Sequence, residues 1–224
     1  MVTRPATRSA KRGAGTDLAP RVEPVQARAK ATVERLLATT AELLEEVGVD
    51  GFTTNLLAER ADVRIRTVYR YFPNKLAVIV AVTERNAEQE RQMLNRISPL
   101  GDPEVPLEEA IDRLWDGYMR GAGKIAGFVA IRRALQATPE LREVENRVNV
   151  RLAEELAVAL RRRGIELPRR QMTALARTFV ESTAALLDFA HLDGRPQQRA
   201  LIRELKRMST AYLQSYLEPP PRRR

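Results

Sequence analysis

Apolar residues recur at spacings of three and four along almost the whole chain, and no stretch of alternating apolar and polar residues marks a strand. Aromatic residues, which favour sheets, make up only 5%. The expected fold class is therefore all-α, with about nine helices. From Ala29 onward, Val33, Leu36, Leu37, Leu43, Leu44 and Val47 form one stripe, and Gly48 stands where a helix C-terminus wants it. Thr53 and Thr54 offer hydroxyl caps for a short second helix through Ala61. Asp62 and Val63 make a turn, a third helix spans 64–71, and Pro73 ends it by pushing its predecessor out of the α region. A fourth helix begins near Lys75.

Pro99, Gly101, Asp102, Pro103 and Pro106 crowd the stretch 98–106, the best internal boundary. Beyond it the pattern predicts helices over 107–121, 124–137, 140–163, 169–192 and 196–217, divided at Pro139, at Gly164 with Pro168, and at Gly194 with Pro196. The expected organisation is a flexible basic tail (1–28), a small helical head (29–75), a connecting helix (76–96), a larger helical domain (97–217) and a disordered end (218–224).

A chain of 224 residues has room for a small module and a larger domain. The formal net charge of +9 favours a polyanionic partner but says nothing about the fold. Arginine supplies nearly all the positive charge, with lysine only at positions 11, 30, 75, 124 and 206, so local clustering must carry the argument. Without cysteine there is neither a disulfide framework nor a thiolate metal site, and a reducing cytoplasm is the simplest fit. The longest apolar run, 76–82, is far short of the roughly 20 residues a membrane helix needs, so no membrane partner is expected.

Residues 54–75 have the spacing of a helix-turn-helix. Ala58 is small where two helices would cross, and Leu57, Ala61, Val63 and Val68 can form a minimal core. Arg64, Arg66, Arg70 and Lys75 fall within twelve residues that contain no acid, and Thr67, Tyr69 and Tyr71 interleave hydroxyls and rings among them. Such a surface seeks phosphates. The blander reading is a solvated basic helix, and an anionic membrane or RNA surface is a further alternative.

The run 48–82, and above all TVYRYFPNK at 67–75, strongly resembles the TetR family of bacterial regulators. The resemblance implies a double-stranded DNA operator as partner. Thr54, Thr67, Tyr71 and Lys75 resemble phosphate-contacting positions, Arg64, Ile65, Arg66, Tyr69 and Arg70 occupy the groove-facing helix, and Asn55 is a further candidate base reader. Val68 and Phe72 match inward-packing positions. Asp62 replaces the family's usual glycine at a turn position that can demand positive φ, and Arg66 replaces a residue that is often small. One recognition helix reads few base pairs, so a homodimer on a near-palindromic operator, with heads about 34 to 36 Å apart, is the expected geometry. The basic tail is either an arm that reaches an adjacent minor groove or a solubilising extension.

Catalytic and metal chemistry find little support. His191 is the single histidine, and Asp188 three residues before it meets no serine or cysteine motif that would complete a triad. Gly117, Gly121, Gly123 and Gly127 fit neither phosphate-loop fingerprint and suit close helix packing or a break. No cofactor is expected. Trp115, Tyr118, Met119 and Phe128 supply bulky apolar surface that reads first as core. The resemblance turns them into candidates for lining a small-molecule effector pocket, with Met172, Phe179, Phe189 and His191 as weaker additions. It also makes the last two helices the dimer pair, with Leu186, Ala190, Leu201, Leu205, Met208 and Tyr212 at the interface. The resulting expectation is a repressor released by a mostly apolar effector, with the helix 76–96 transmitting the change. A ligand-independent activator, or a helical enzyme or scaffold with an incidental basic hairpin, are the alternatives.

Overall fold

Gly48 interrupts the first helical run of the computed structural model, which describes residues 17–22, 24–192 and 195–217, with side chains at 191, 192, 195 and 196 excepted. Helix α1 (Ala27–Gly51) leaves helical geometry at Gly48 (φ 66°, ψ −176°) and closes with Phe52 N–H donating to the Gly48 carbonyl at 3.2 Å. Helix α2 (Thr54–Arg60) is capped as its sequence predicts, the Thr53 hydroxyl oxygen accepting from Leu56 N–H at 3.1 Å. Helix α3 (Ile65–Tyr71) stops two residues before Pro73. Helix α4 (Lys75–Ile97) takes Asn74 as its cap, whose side-chain oxygen accepts from Ala77 N–H at 2.9 Å.

Among the described residues five more α-helices follow and no strand occurs: α5 (Leu107–Ala122), α6 (Phe128–Ala137), α7 (Arg142–Arg162), α8 (Arg169–Leu192) and α9 (Arg195–Leu217). Two boundaries differ from the periodic pattern. Gly127 takes the left-handed conformation (φ 71°), so α6 starts there and not at Lys124. Pro139 opens a single 3₁₀ turn, Pro139–Leu141, before α7. The expected break at Gly194, the first sixteen residues and the end 218–224 lie outside the described residues.

Two cores share the molecule. The head core gathers Leu36, Leu43, Phe52, Leu57, Val68 and Phe72 with Ile79 and Val82 of α4, and it continues into Ile131, Ala134 and Leu135 of α6. The second core packs Leu114, Trp115 and Tyr118 of α5 against Leu160 of α7, Phe179 of α8 and Leu205 of α9. Gly117 and Gly121 let α5 lie close on α4: a Cβ at Gly117 would meet Ile97 at 2.8 Å, and one at Gly121 would overlap the Met93 sulfur. The turn-rich boundary 98–106 is held by one guanidinium. Arg163, nearly buried, donates to the carbonyls of Pro99, Leu100, Asp102 and Val105 at 2.7–3.1 Å.

Head and larger domain are joined where α6 begins. Gly127 N–H donates to the Glu45 carboxylate of α1 at 2.7 Å, and Asn86 of α4 donates to the Ala126 carbonyl at 2.9 Å. A Cβ on Gly127 would stand 2.8–3.0 Å from Ala41 side-chain and backbone atoms. Gly127→Ala adds this overlap to a left-handed penalty of about 1–2 kcal/mol. It is therefore expected to lower stability by at least about 2 kcal/mol in urea unfolding. A neutral outcome would show that α6 is free to move off α1.

Candidate DNA-reading face and ligand cavity

The α2–α3 corner closes on small residues. Leu57, Ala58, Ala61 and Val68 are buried where the sequence predicts them, and Phe72 joins them. The turn is a Schellman closure: Val63 N–H reaches back to the Ala58 carbonyl at 3.0 Å, and Asp62 N–H to that of Glu59 at 3.1 Å. It places Asp62 at φ 50°, the left-handed value anticipated from its replacement of glycine. Asp62→Gly should therefore stabilise the head, by about 0.5–1 kcal/mol once the looser unfolded chain is subtracted. Thermal unfolding that shows a loss would refute backbone strain at this turn.

Arg64, Ile65, Arg66, Tyr69 and Arg70 are exposed along α3, Asn55 is exposed on α2, and Thr54 and Thr67 are half-buried. The Thr54 and Tyr69 hydroxyls share a hydrogen bond of 3.0 Å, which puts the start of α2 and the outer side of α3 on one face. Two residues of the expected set lie deeper. Tyr71 is only 5% exposed and belongs to the head core, with the Arg70 guanidinium 5.7 Å from its ring centre. Its position three after Val68 turns it inward. Lys75 is half-buried and donates to the Val49 carbonyl at 3.3 Å. Arg60 and Glu46 form a paired bridge (2.9 and 3.0 Å) that fixes α2 on α1, and the Arg60 hydrogen bond lowers the Glu46 carboxyl below its ordinary value.

The tail expectation is corrected over residues 17–22. Arg21 donates its backbone N–H to the Tyr71 carbonyl at 2.8 Å and its guanidinium to the Tyr69 carbonyl at 3.2 Å, while Asn74 donates to the Asp17 carbonyl at 2.8 Å. The last carbonyls of α3 have no helical donor, and a cation suits that end of a helix. This strap fastens the chain beside the recognition helix, and Leu18 packs on the head core.

In the larger domain α4, α5, α6, α7 and α8 line a half-open cavity of about 140 Å³. Trp115 and Phe179 stack across its wall (centroids 6.2 Å, planes 19° apart), and Tyr118 meets Trp115 edge-on at 6.0 Å. These three are the predicted ligand residues that the fold brings together. Phe128 borders a smaller adjoining cavity with Glu90, Arg132 and Asn149. The other candidates are placed elsewhere. Met172 is fully buried in the core, Met119 packs half-buried against it, and neither lines the cavity. Phe189 points outward, 61% exposed. The His191 side chain lies outside the described residues.

Periodicity did not single out the cavity's charged residues. The Tyr118 hydroxyl donates to Glu90 at 3.0 Å, and burial, then the Glu90 charge, pushes the phenol well above its ordinary pKa. Arg132 donates to Asp188, whose second oxygen accepts from Gln136 at 2.6 Å. Burial pulls Arg132 down, yet Asp188, Tyr118 and Glu90 together more than offset it and the net shift is upward. Glu145 lies 3.8 Å from Arg132, and burial raises its carboxyl pKa. The available signal was polar residues inside an apolar stripe: Thr83, Asn86 and Glu90 continue the buried line of Ile79 along α4.

Of the interface candidates, Leu205 and Ala190 are fully buried within the single chain and are withdrawn, because α8 and α9 turn those positions inward. Leu186, Leu201, Met208 and Tyr212 remain half-buried. Tyr212 meets Tyr216 edge-on at 5.5 Å, and Tyr216 and Phe189 are exposed large apolar residues on the same two helices.

A helix-turn-helix head with an acid-free cationic helix, joined to a helical domain around a cavity, defines a class of DNA-binding regulator. Residues 36–82 match the family described as bacterial regulatory proteins, tetR family, and residues 106–213 match the tetracyclin repressor-like C-terminal domain. The chain belongs to the TetR family of transcriptional regulators, with a DNA-binding head and a ligand-binding domain.

The transcriptional repressor KstR of Rhodococcus jostii is 38% identical over 56 residues, a quarter of each chain (25% and 26%), and the class C tetracycline repressor protein of Escherichia coli is 43% identical over 51 residues, 23% of each. The chain thus spans only about a quarter of the length of these two curated relatives. The transcriptional regulator BetI of Escherichia coli is 28% identical over 180 residues, 77% of this chain and 89% of its own. A TetR-family regulator structure from Streptomyces coelicolor has a TM-score of 0.62 at 28% identity, covering 83% of this chain and 99% of its own. The multidrug binding protein EbrR, complexed with imidazole, matches with a TM-score of 0.59 at 18% identity over 90% of this chain and all of its own. At that identity the likeness is one of fold. No helix among the described residues is long and apolar enough to cross a membrane.

Proposed function

We propose that the chain is a cytoplasmic, homodimeric repressor that holds a near-palindromic operator and releases it when a small, mostly apolar effector fills the cavity. The observation that carries this reading is that the two helices reaching the cavity's polar end also run into the head. Glu90 and Arg132 both line the cavity, while Ile79 and Val82 of the same α4 and Ile131 and Leu135 of the same α6 lie in the head core. An effector that displaces Glu90 or Arg132 displaces helices that the head cannot ignore. By linkage, an effector that weakens operator binding by some factor binds the operator-free form more tightly by that factor. The likeness of the head to KstR and to the class C tetracycline repressor, both repressors, favours the negative sign of control.

The reading head supports a division of labour. Arg66, exposed on the outer side of α3, is the candidate base reader, and Arg70, Thr67 and Thr54 are candidate phosphate contacts. Footprinting of the promoter beside the gene supplies the operator. Arg66→Ala is then expected to cost about 1–3 kcal/mol and to relax preference at one base pair per half-site. Arg70→Ala should weaken all sequences alike and reduce the slope of log affinity against log salt by about 1 per contact. Sequence-independent binding by the unaltered protein, or affinity indifferent to salt, would remove the operator reading.

The dimer is proposed through the outer surface of α8 and α9, where Leu186, Phe189, Leu201, Met208, Tyr212 and Tyr216 remain at least partly exposed in one chain. Phe189→Glu places a charge on that surface without touching the core. It should shift the protein from dimer to monomer in analytical ultracentrifugation at micromolar concentration and abolish tight operator binding while leaving thermal unfolding cooperative. A variant that sediments as the parent does would move the interface elsewhere.

A further inference from the structure

We infer that Arg21 is a DNA-backbone contact: the strap before α1 holds its guanidinium against the C-terminal end of α3, where it meets a phosphate at the edge of the half-site. This rests on the proposed operator role of the head and adds to it a cation from outside the helix-turn-helix.

Helix α3 has seven residues and so spans about 10 Å, close to the roughly 12 Å width of a major groove. Whatever is fixed to its ends therefore stands beside the phosphate walls of the groove it enters. Its last carbonyls carry the negative end of the helix dipole, and left bare they would oppose a phosphate. The chain covers them with donors. Phe72 N–H donates to the Val68 carbonyl at 2.9 Å, the Arg21 guanidinium to that of Tyr69 at 3.2 Å, and Arg21 N–H to that of Tyr71 at 2.8 Å.

The backbone at Arg21 is placed before DNA arrives. Asn74 donates to the Asp17 carbonyl at 2.8 Å, Leu18 packs on the head core, and Pro20 fixes the dihedral just ahead of Arg21. The guanidinium nevertheless stays exposed. Exposed arginines elsewhere in the head are matched by acids: Arg60 pairs with Glu46, both at 2.9 Å. Arg21 is held differently, because its partners are carbonyls, and among the described residues no carboxylate lies within ion-pair distance of it. The Asp17 carboxylate accepts from Ala19 N–H at 3.3 Å. A carbonyl orients a guanidinium without neutralising it, and one such bond leaves most of the five donors for a second acceptor. A phosphate suits that fork.

The site lies on the reading side of the head. Tyr69, whose carbonyl receives Arg21, shares its hydroxyl bond with Thr54 at the start of α2, and Arg70 stands exposed on the next residue. Tyr71 and Lys75, expected at this end of the helix, are turned into the core or bonded to the Val49 carbonyl. Arg21 thus supplies exposed charge where those two are drawn inward. It is 48 residues from Tyr69 in sequence, so the motif at 54–75 holds no sign of it.

A cap on α3 and a phosphate contact are separated by charge. Arg21→Gln keeps a side-chain donor for the Tyr69 carbonyl and the backbone N–H for Tyr71 but removes the cation, whereas Arg21→Lys keeps the cation. Affinities of the full-length protein for the footprinted operator and for a random duplex are measured between 50 and 200 mM salt. Arg21→Gln should reduce the slope of log affinity against log salt by about 0.9 per head, roughly 1.8 for a dimer. Over that range the unaltered protein then loses about tenfold more affinity than the variant. Random duplex should show a reduced slope as well, and Arg21→Lys should restore it. Arg207→Gln removes a highly exposed cation from α9 and should leave the slope unchanged.

An unchanged slope in Arg21→Gln, a loss confined to operator preference, or an equal drop in Arg207→Gln would overturn the assignment. Should Arg21→Gln fail to fold, the chain's lack of cysteine supplies a second route. Arg21→Cys can be modified with a cationic aminoethyl or a neutral ethyl methanethiosulfonate, and the cationic adduct alone should regain the steeper slope; equal slopes would overturn the contact. The two duplexes also keep this inference apart from the operator reading. Equal affinity for both, with the slope still lowered in Arg21→Gln, removes the operator and keeps Arg21 on the backbone. Selective binding with an unaltered slope does the reverse, and binding to neither duplex ends both.

Discussion

The hydrogen bond from Gly127 to Glu45, with the carbonyl of Ala126 held by Asn86, is the constraint on which the arrangement of the two cores depends. It fixes the start of α6 against α1 and α4 at a point where a side chain would not fit. From there α6 gives one face to the head core, through Ile131, Ala134 and Leu135, and turns Phe128 and Arg132 toward the cavities. A packed interior resists continuous deformation, so a helix shared by two cores passes displacement from one to the other in place of absorbing it. The connecting helix α4 was the expected transmitter, and α6 is a second, shorter helix that gives residues to both cores.

The head achieves rigidity with little material. Two seven-residue helices are too short to persist alone. They are held by a threonine cap, a Schellman turn through Asp62, an Arg60–Glu46 bridge to α1 and the strap at residues 17–22. The strap satisfies carbonyls at the end of α3 while the cationic side chains of that helix stay outside. Tyr71 serves the same economy, because its ring fills the core and supports Arg70 above it. A residue in that position sets where α3 sits as well as what it can touch.

The cavity's polar end shows how a buried charge cluster can be tolerated beside open space. Arg132 and Asp188 form a pair whose second oxygen is also satisfied, and Tyr118 places its hydroxyl on Glu90. Buried ion pairs of this kind contribute little to stability compared with apolar packing of equal volume. Around them Trp115, Tyr118 and Phe179 are interlocked at ring distances that leave a small, shaped space.

Much of this architecture was legible in one dimension. The three-and-four spacing, the threonine cap at Thr53, the prolines at 73 and 106 and the glycine at 48 marked most helices, because those signals act over one or two turns of chain. The reading head was legible for the same reason: its two helices are adjacent in sequence, and Val68 and Phe72 declared their inward side within a few residues of the outward arginines. Residues brought together from distant helices were not. Met172 and Trp115 are both candidates for a pocket until packing buries one among neighbours and sets the other on a wall, and Leu205 looks like interface until α9 rolls it inward. Glu90, Arg132 and Asp188 are single charges on three helices, and only the crossing of those helices makes them one site. The amino-acid order therefore determined the all-helical class, the head and its cationic face, while the tertiary structure decided the cavity, its charge balance and the route that joins it to the head, since a contact between remote residues has no periodicity along the chain to announce it.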